Sequence, residues 1–330
     1  MDSVTLDALD LRLLHALQLD GRAAFSKIAE VLEVSDRTVA RRFGRLRGTG
    51  TARVAGVPDS RRTGHAEWVV RLRVLPSGTA ALARALARRP DTAWVTVASS
   101  GAELVCIFRV AGEGPAPLAV LGRFPQITQI EAQRLLRPAM DHCWTGRTSA
   151  LTAEQVAALR PPAADGAGPD PVQLTDLDRR LLPALAADGR AAYPDLARQV
   201  SWSESAVRRR LEELRRSGAL RLDVEVDAGL LGYSAQCLLW LSVTPARLGG
   251  IARALATDPE TAFVGMTTGA HNLFAIAVCR DAEALHSYLT ERVGSWEGIG
   301  RMETAMVTSY AKRAAPAPVG RRTDGSVHDW

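Results

Sequence analysis

Apolar residues at Leu6, Leu9, Leu13, Leu14 and Leu17 have a helical spacing that Gly21 breaks. Ile28, Ala29 and Leu32 predict a second short helix over residues 26–32. Val34 and Ser35 form a turn, with Ser35 placed as an N-cap. A third helix carries Val39, Phe43 and Leu46 on its inner face, at i, i+4 and i+7, and Gly50 ends it. Arg37, Thr38, Arg41, Arg42 and Arg45 stand on its other faces. Three short helices with a tight turn before a basic third one form a helix-turn-helix. The pattern returns later in the chain. Leu177, Leu181, Leu182 and Leu185 pack a first helix, Leu196, Ala197 and Val200 a second. Ser203 caps a third that buries Val207, Leu211 and Leu214. Pro183 stands where the first copy has His15 and is expected to kink or shorten its helix, because it removes one backbone hydrogen bond.

After each basic helix the pattern changes to that of a βαββαβ unit. In the first copy, strands are expected at 68–74, 94–97 and 104–110, with a helix at 79–88 between Pro76 and Pro90 and a turn at Gly101. In the second, strands fall at 238–243, 262–267, 273–279 and 302–307, with helices at 247–256 and 282–292. The first copy's last helix and strand, at 117–124 and 130–136, read as shorter. The fold class is α+β: a three-helix domain followed by a ferredoxin-like βαββαβ domain, twice over.

The duplication is direct. Residues 6–53 and 174–221 align without a gap at an offset of 168 and agree at 22 of 48 positions. DGRAA recurs at Asp20–Ala24 and Asp188–Ala192, and Arg41-Arg42 recurs as Arg209-Arg210. The period is about half of the 330 residues, far beyond that of solenoid repeats. The net charge of +5 makes an anionic partner plausible, and its location sharpens this. Residues 36–53 hold six arginines and one acid, and residues 204–221 hold six arginines and three acids. A helix fits the major groove of DNA, where arginine can bond guanine twice or bind phosphate. The expected DNA-binding residues are Arg37, Thr38, Arg41, Arg42 and Arg45 in the first copy, and Ser205, Arg208, Arg209, Arg210 and Arg215 in the second. Cys106, Cys143, Cys237 and Cys279 are isolated and read as small buried hydrophobes, with no catalytic set and no metal spacing. No apolar run reaches membrane length and no secretory signal opens the chain, so a soluble cytoplasmic protein is expected.

The stretch LDxxDxRLLxALxxDGRAA, the S-x-x-x-V-x-R-R helix with its closing glycine, and TTGAHNLF at 267–274 resemble the Lrp/AsnC family of bacterial transcription regulators. The resemblance covers most of the chain. It implies double-stranded DNA as partner, and a small-molecule effector, an amino acid or related metabolite, held between AsnC-type α/β (RAM) domains at the middle-strand loop. No cofactor is implied. The loop residues here are Ser99, Ser100, Gly101 and Glu103, and Thr267, Thr268, Gly269, His271 and Asn272. Where the family usually has an Asp near the loop's end, this chain has Glu103 and Asn272. The domains implied are a helix-turn-helix at 1–55, an α/β domain at 64–140, a linker at 141–173, a second helix-turn-helix at 174–223, a second α/β domain at 232–313 and a flexible tail at 314–330. Within the linker, residues 150–160 read as a short helix, with Thr152 as its cap and Glu154 in its first turn. One chain is expected to fold as a pseudo-dimer and to join a homo-oligomer of such chains, without a membrane. Its recognition helices differ, which predicts an operator with two unlike half-sites.

A tetrapyrrole decarboxylase family acting on siroheme resembles the same architecture and also occurs as paired or fused copies. Its members carry a His-Asn-Tyr type stretch and further His or Arg near the middle strands. This chain has Ala93 to Val97 and Ala262 to Met266 there, with His271 nearby. The regulator is therefore the favoured reading and the decarboxylase the alternative.

Overall fold

The computed structural model describes residues 5–112, 114, 116, 118–140, 150–161, 171–313 and 315–316. In chain order the first copy contains α1 (Ala8–Leu19), α2 (Phe25–Leu32), α3 (Asp36–Gly48), β1 (Ala52–Pro58), β2 (His65–Val74), α4 (Thr79–Ala87), β3 (Thr92–Ala98), β4 (Glu103–Ala111), α5 (Leu118–Leu121) and β5 (Ile127–Pro138). After α6 (Ala153–Leu159) the second contains α7 (Asp176–Ala187), α8 (Tyr193–Val200), α9 (Glu204–Arg216), β6 (Leu220–Val226), β7 (Ala235–Val243), α10 (Pro245–Thr257), β8 (Thr261–Thr267), β9 (Leu273–Cys279), α11 (Ala282–Ser287), β10 (Ile299–Arg313) and β11 (Ala315–Pro316). The chain divides into two compact units, Met1–Gly64 with Cys143–Tyr233, and His65–His142 with Ser234–Trp330. Each unit is thus made from a piece of either copy.

The first unit is a pair of helix-turn-helix heads. Both open on a capping box, Asp7 with Asp10 and Thr175 with Asp178, which satisfies the first free N–H groups of α1 and α7. Ser35 and Ser203 cap α3 and α9 as expected. The tight turn is made by left-handed residues at equivalent positions, Glu33 (φ 58°) and Ser201 (φ 61°). Gly50 and Gly218, also left-handed, close the third helices. Pro183 neither shortens its helix nor disturbs its ends. α7 spans 12 residues, as α1 does. The proline faces solvent while Leu181, Ala184 and Leu185 seat the helix in the core.

Two strands absent from the sequence reading join the heads. β1 and β6 form an antiparallel ribbon in which Ala55 lies opposite Asp223. Those residues are 168 apart, the repeat offset, so the ribbon is centred on a pseudo-two-fold axis. Gly21 touches the ribbon: a Cβ there would lie 2.5 Å from the Leu222 carbonyl oxygen. Within the expected linker, the short helix read at 150–160 is formed, with Thr152 as its cap. α6 docks on the first head, with Leu151 and Leu159 in its core and Gln155 Nε2 donating to the Val31 carbonyl at 3.0 Å. The remainder of that segment, 141–149 and 162–170, lies outside the described residues.

The second unit is one antiparallel sheet of both α/β domains. Its strand order is β11-β10-β3-β4-β2-β5-β8-β9-β7, and β10 also pairs with β7, which closes eight strands into a ring. Closure depends on two long strands. β5 pairs with β2 of its own copy over Glu67–Val74 and then, through Leu135, Arg137 and Pro138, with β8 of the other. β10 pairs first with β7 and then, from Val307 to Lys312, with β3. Both run well beyond the 130–136 and 302–307 expected. α4 covers one core (Val70, Leu72, Leu86, Val95, Phe108), and α10 and α11 cover the other (Leu239, Leu241, Ile251, Leu255, Val264). The expected helix at 282–292 is α11 followed by a wider π turn over Tyr288–Val293. In the tail, β11 folds back on β10; residues 317–330 lie outside the described residues.

Candidate nucleic-acid interface

α3 turns its apolar residues Val39, Phe43 and Leu46 into the head and leaves Arg37 and Arg41 exposed. Among the described residues neither has an ion-pair partner. Thr38 is half-buried, its hydroxyl 2.9 Å from that of the cap Ser35. Arg42 and Arg45 face the other way. Arg42 Nη1 donates to Asp7 at 2.6 Å and to Asp10 at 3.0 Å, and Arg45 also bonds Asp10. Asp10 is fully buried, and a buried carboxylate without a cation is very costly. The hydrogen bond from Arg42 holds the Asp7 carboxyl below its ordinary pKa.

α9 repeats this division. Arg210 bonds the buried Asp178 at 2.7 and 2.9 Å and reaches the Gln173 carbonyl. Burial pushes the Asp178 carboxyl up, but Arg210 and the Thr175 cap outweigh it and bring its pKa below the ordinary value. Arg215 pairs with Asp20 of the first head at 2.8 Å. The outer residues are Ser205, Arg208 and Arg209. Arg208 lies over the Tyr193 ring and pairs with Glu204 at 3.0 Å, and Arg209 lies 3.7 Å from Glu213. The expected DNA set therefore separates. Arg37, Thr38, Arg41, Ser205, Arg208 and Arg209 stand at the outer faces or N-termini of their helices. Arg42, Arg45, Arg210 and Arg215 bind the protein's own carboxylates. The clue in the sequence is Asp10 and Asp178, acids set within an apolar stripe.

The DGRAA repeat has a use that its sequence did not disclose. Arg22 donates to the carbonyls of Gly189 and Ala191 at 2.9 and 3.0 Å, and Arg190 donates to those of Gly21 and Ala23 at 2.7 and 3.0 Å. Each guanidinium also lies over an aromatic ring of the other head, Arg22 over Tyr193 and Arg190 over Phe25. Burial, then the charge of Arg22, lowers the pKa of Arg190 to about 10. Asp20–Arg215 and Arg47–Asp188, both at 2.8 Å, complete the reciprocal set. The heads are thus held in one arrangement, which fixes the two recognition helices relative to each other.

The loops expected to take an effector lie where the sheet's two copies join. Ser99, Ser100 and Gly101 are all left-handed, and the Ser100 N–H donates to Thr308 of β10. Across the ring, Thr268 exchanges two hydrogen bonds with Arg134 of β5. Thr267 donates to the His271 carbonyl at 2.8 Å, and Gly269 is left-handed (φ 99°). Asn272 is committed to the backbone: its oxygen accepts from the Val243 N–H and its amide donates to the Val243 carbonyl. Glu103 accepts two bonds from the buried Arg71, at 2.8 and 3.0 Å, and Arg71 also donates to Glu303 at 2.8 Å. The Arg71 guanidinium stacks 4.1 Å above Trp240, the residue at the matching position of the second copy. His271 is buried, with Nε2 3.4 Å from Glu303. Glu103 and Asn272, the departures from the family's Asp, thus hold the fold together. Cys106, Cys237 and Cys279 are buried free thiols, and the described residues contain no cluster suited to a metal. No helix among them is long and apolar enough to cross a membrane.

Residues 6–47 and 174–215 each match the family model of the AsnC-type helix-turn-helix domain, and residues 236–316 match that of the Lrp/AsnC ligand binding domain. An uncharacterised HTH-type transcriptional regulator of Pyrococcus abyssi is 32% identical over 142 residues, 43% of this chain and 90% of that protein. The regulatory protein AsnC of Escherichia coli is 28% identical over 137 residues, 41% of this chain and 90% of it. Each relative spans about half the chain, as a tandem duplication requires. Over the full length, the fold is similar to that of the siroheme decarboxylase NirDL in complex with an iron-uroporphyrin III analogue, with TM-score 0.61, 15% identity and 94% of both chains covered.

Proposed function

The chain belongs to the Lrp/AsnC family of transcription regulators, as two fused copies, and from that membership we propose that it reads an asymmetric operator through the N-terminal halves of α3 and α9. The observation that carries this reading is the pair of heads locked about the β1–β6 ribbon, each with a capped, outward-facing recognition helix. A homodimer presents two identical helices and so favours a palindrome. Here Asp36-Arg37-Thr38 faces one half-site and Glu204-Ser205-Ala206 the other. Arg41, Arg208 and Arg209 supply phosphate contacts, which position the protein without reading sequence. In this reading the effector, an amino acid or related metabolite, binds beside the Ser99–Gly101 and Gly269–His271 loops, and its arrival alters the junctions at Thr308 and Arg134. Association of chains accompanies it, through apolar side chains left open on β10 such as Met302 and Met306.

Selection of bound fragments from a random DNA library tests the reading. One enriched motif with two unlike halves in fixed order supports it, and a motif with perfect two-fold symmetry, or no enrichment, overturns it. The fold likeness to NirDL carries a second reading, tetrapyrrole decarboxylation, which rests on fold alone. Titration with an iron-uroporphyrin separates the two: a tight complex with a shifted Soret band favours the enzyme, and an unchanged spectrum favours the regulator.

A further inference from the structure

We infer that the two heads are unequal readers: α3 is the strong, sequence-determining head and α9 a weak one that mainly positions the protein. The inference rests on the DNA-binding reading above and goes beyond it. α3 carries five arginines and one acid, Asp36, whereas α9 carries five arginines and three acids, Glu204, Glu212 and Glu213. Their outer faces differ more than those totals. Arg37 and Arg41 are exposed with no ion pair among the described residues. The exposed arginines of α9 each have a carboxylate within 4 Å: Arg208 with Glu204, Arg209 with Glu213 and Arg216 with Glu212. Exposed pairs of this kind hold weakly and can rearrange. The carboxylates stay on the face even so, and each opposes the approach of a phosphate.

Base reading follows the same division. The second residue of α3 is Arg37, long enough to give guanine two hydrogen bonds, and its counterpart in α9 is Ser205. A serine makes a single, less selective contact. The turn before α9 presents the exposed Trp202 where the first head has the smaller, half-buried Val34, so a bulkier apolar side chain stands beside the second helix. A single-copy regulator shows the same helix to both half-sites. Fusion released the second helix from that constraint, and its added acids mark the difference.

The test uses the full chain on its selected site. Arg37→Ala/Arg41→Ala is compared with Ser205→Ala/Arg209→Ala, all four side chains being at the surface, with thermal unfolding as the control for folding. The first pair is expected to weaken binding by about 100-fold, the loss of one guanine-reading and one phosphate-binding arginine. It should also lower the salt slope by about one to two. The second pair is expected to weaken binding by less than about 5-fold, with a slope change below about one. Equal losses, or a larger loss from the second pair, overturn the inference. Failure of the DNA reading itself is seen earlier, as a wild-type chain without sequence preference, so the two failures are distinct.

Discussion

A carboxylate shut away from water must find a cation, and Asp10 and Asp178 find theirs on the recognition helices. The adjacent arginines at 41–42 and 209–210 therefore have opposite duties, since successive helical residues point about 100° apart. The first of each pair faces outward and the second anchors its helix on α1 or α7. Removing one partner of a buried pair leaves an uncompensated charge, so Arg210→Ala is expected to cost about 3 kcal/mol in urea unfolding. The pH dependence has a definite sign. The folded pKa of Asp178 lies below its unfolded value of about 3.9, so its stabilisation is complete above that pH and drains away as pH falls through the folded value. Wild-type stability is expected to fall below about pH 4, and Asp178→Asn to flatten that limb while lowering stability at pH 7. The presence of a basic helix was legible in the residues, because composition reports it. Which arginine faces out was not, because Asp10 and Arg42 lie 32 apart and meet only in the fold.

At the scale of the element, α7 shows how far packing overrides local preference. The Pro183 ring points to solvent, the Thr175 box holds the first turn, and the Asp188 N–H returns to Ala184 at the last. The helix keeps its length and forgoes one backbone bond. Proline in a helix interior is about 3 kcal/mol worse than alanine, so Pro183→Ala is expected to stabilise the chain by roughly 1–3 kcal/mol, read as a rise in Tm without change in DNA affinity. The strands of the ribbon are the reverse case. β1 reads ARVAGVP, a short run with an internal glycine and a terminal proline, and nothing local marks it as a strand. Its partner β6 follows at the repeat offset, so only tertiary pairing specifies it. The βαββαβ elements were legible because their apolar alternation is long and sits between turn residues. The extra length of β5 and β10 was not, because their distal halves face the other copy and follow its surface rather than their own.

For the whole molecule, duplication was the most legible property, and the exchange of strands that closes the ring was the least. The ring's interior contains a charged group, Arg71, bonded to Glu103 and Glu303 and stacked on Trp240. Burial works against the Arg71 charge, but the two carboxylates outweigh it and raise its pKa. Without the guanidinium, the buried Glu103 would lose both bonds it accepts from Arg71, and Glu303 would keep Arg301 at 2.6 Å. Arg71→Ala is therefore expected to destabilise the chain by about 3 kcal/mol or more. Arg71→Lys should recover only part of this, because an ammonium has neither the planar fork nor the stacking face. Chemical denaturation followed by Trp fluorescence would show both.

Arg71 and Trp240 occupy the same place in the two copies, so in an assembly of identical subunits that place would be opposed by itself. Two first halves would bring two guanidinium groups together, and two second halves two indoles, and neither match equals arginine on tryptophan. Each half has thus become a lock for the other's key. A cell holding many single-copy relatives runs the hazard of mixed assemblies with scrambled targets. A chain that carries its own fitted counterpart is expected to be insulated from that traffic, and its halves, produced apart, are expected to pair with each other in preference to themselves.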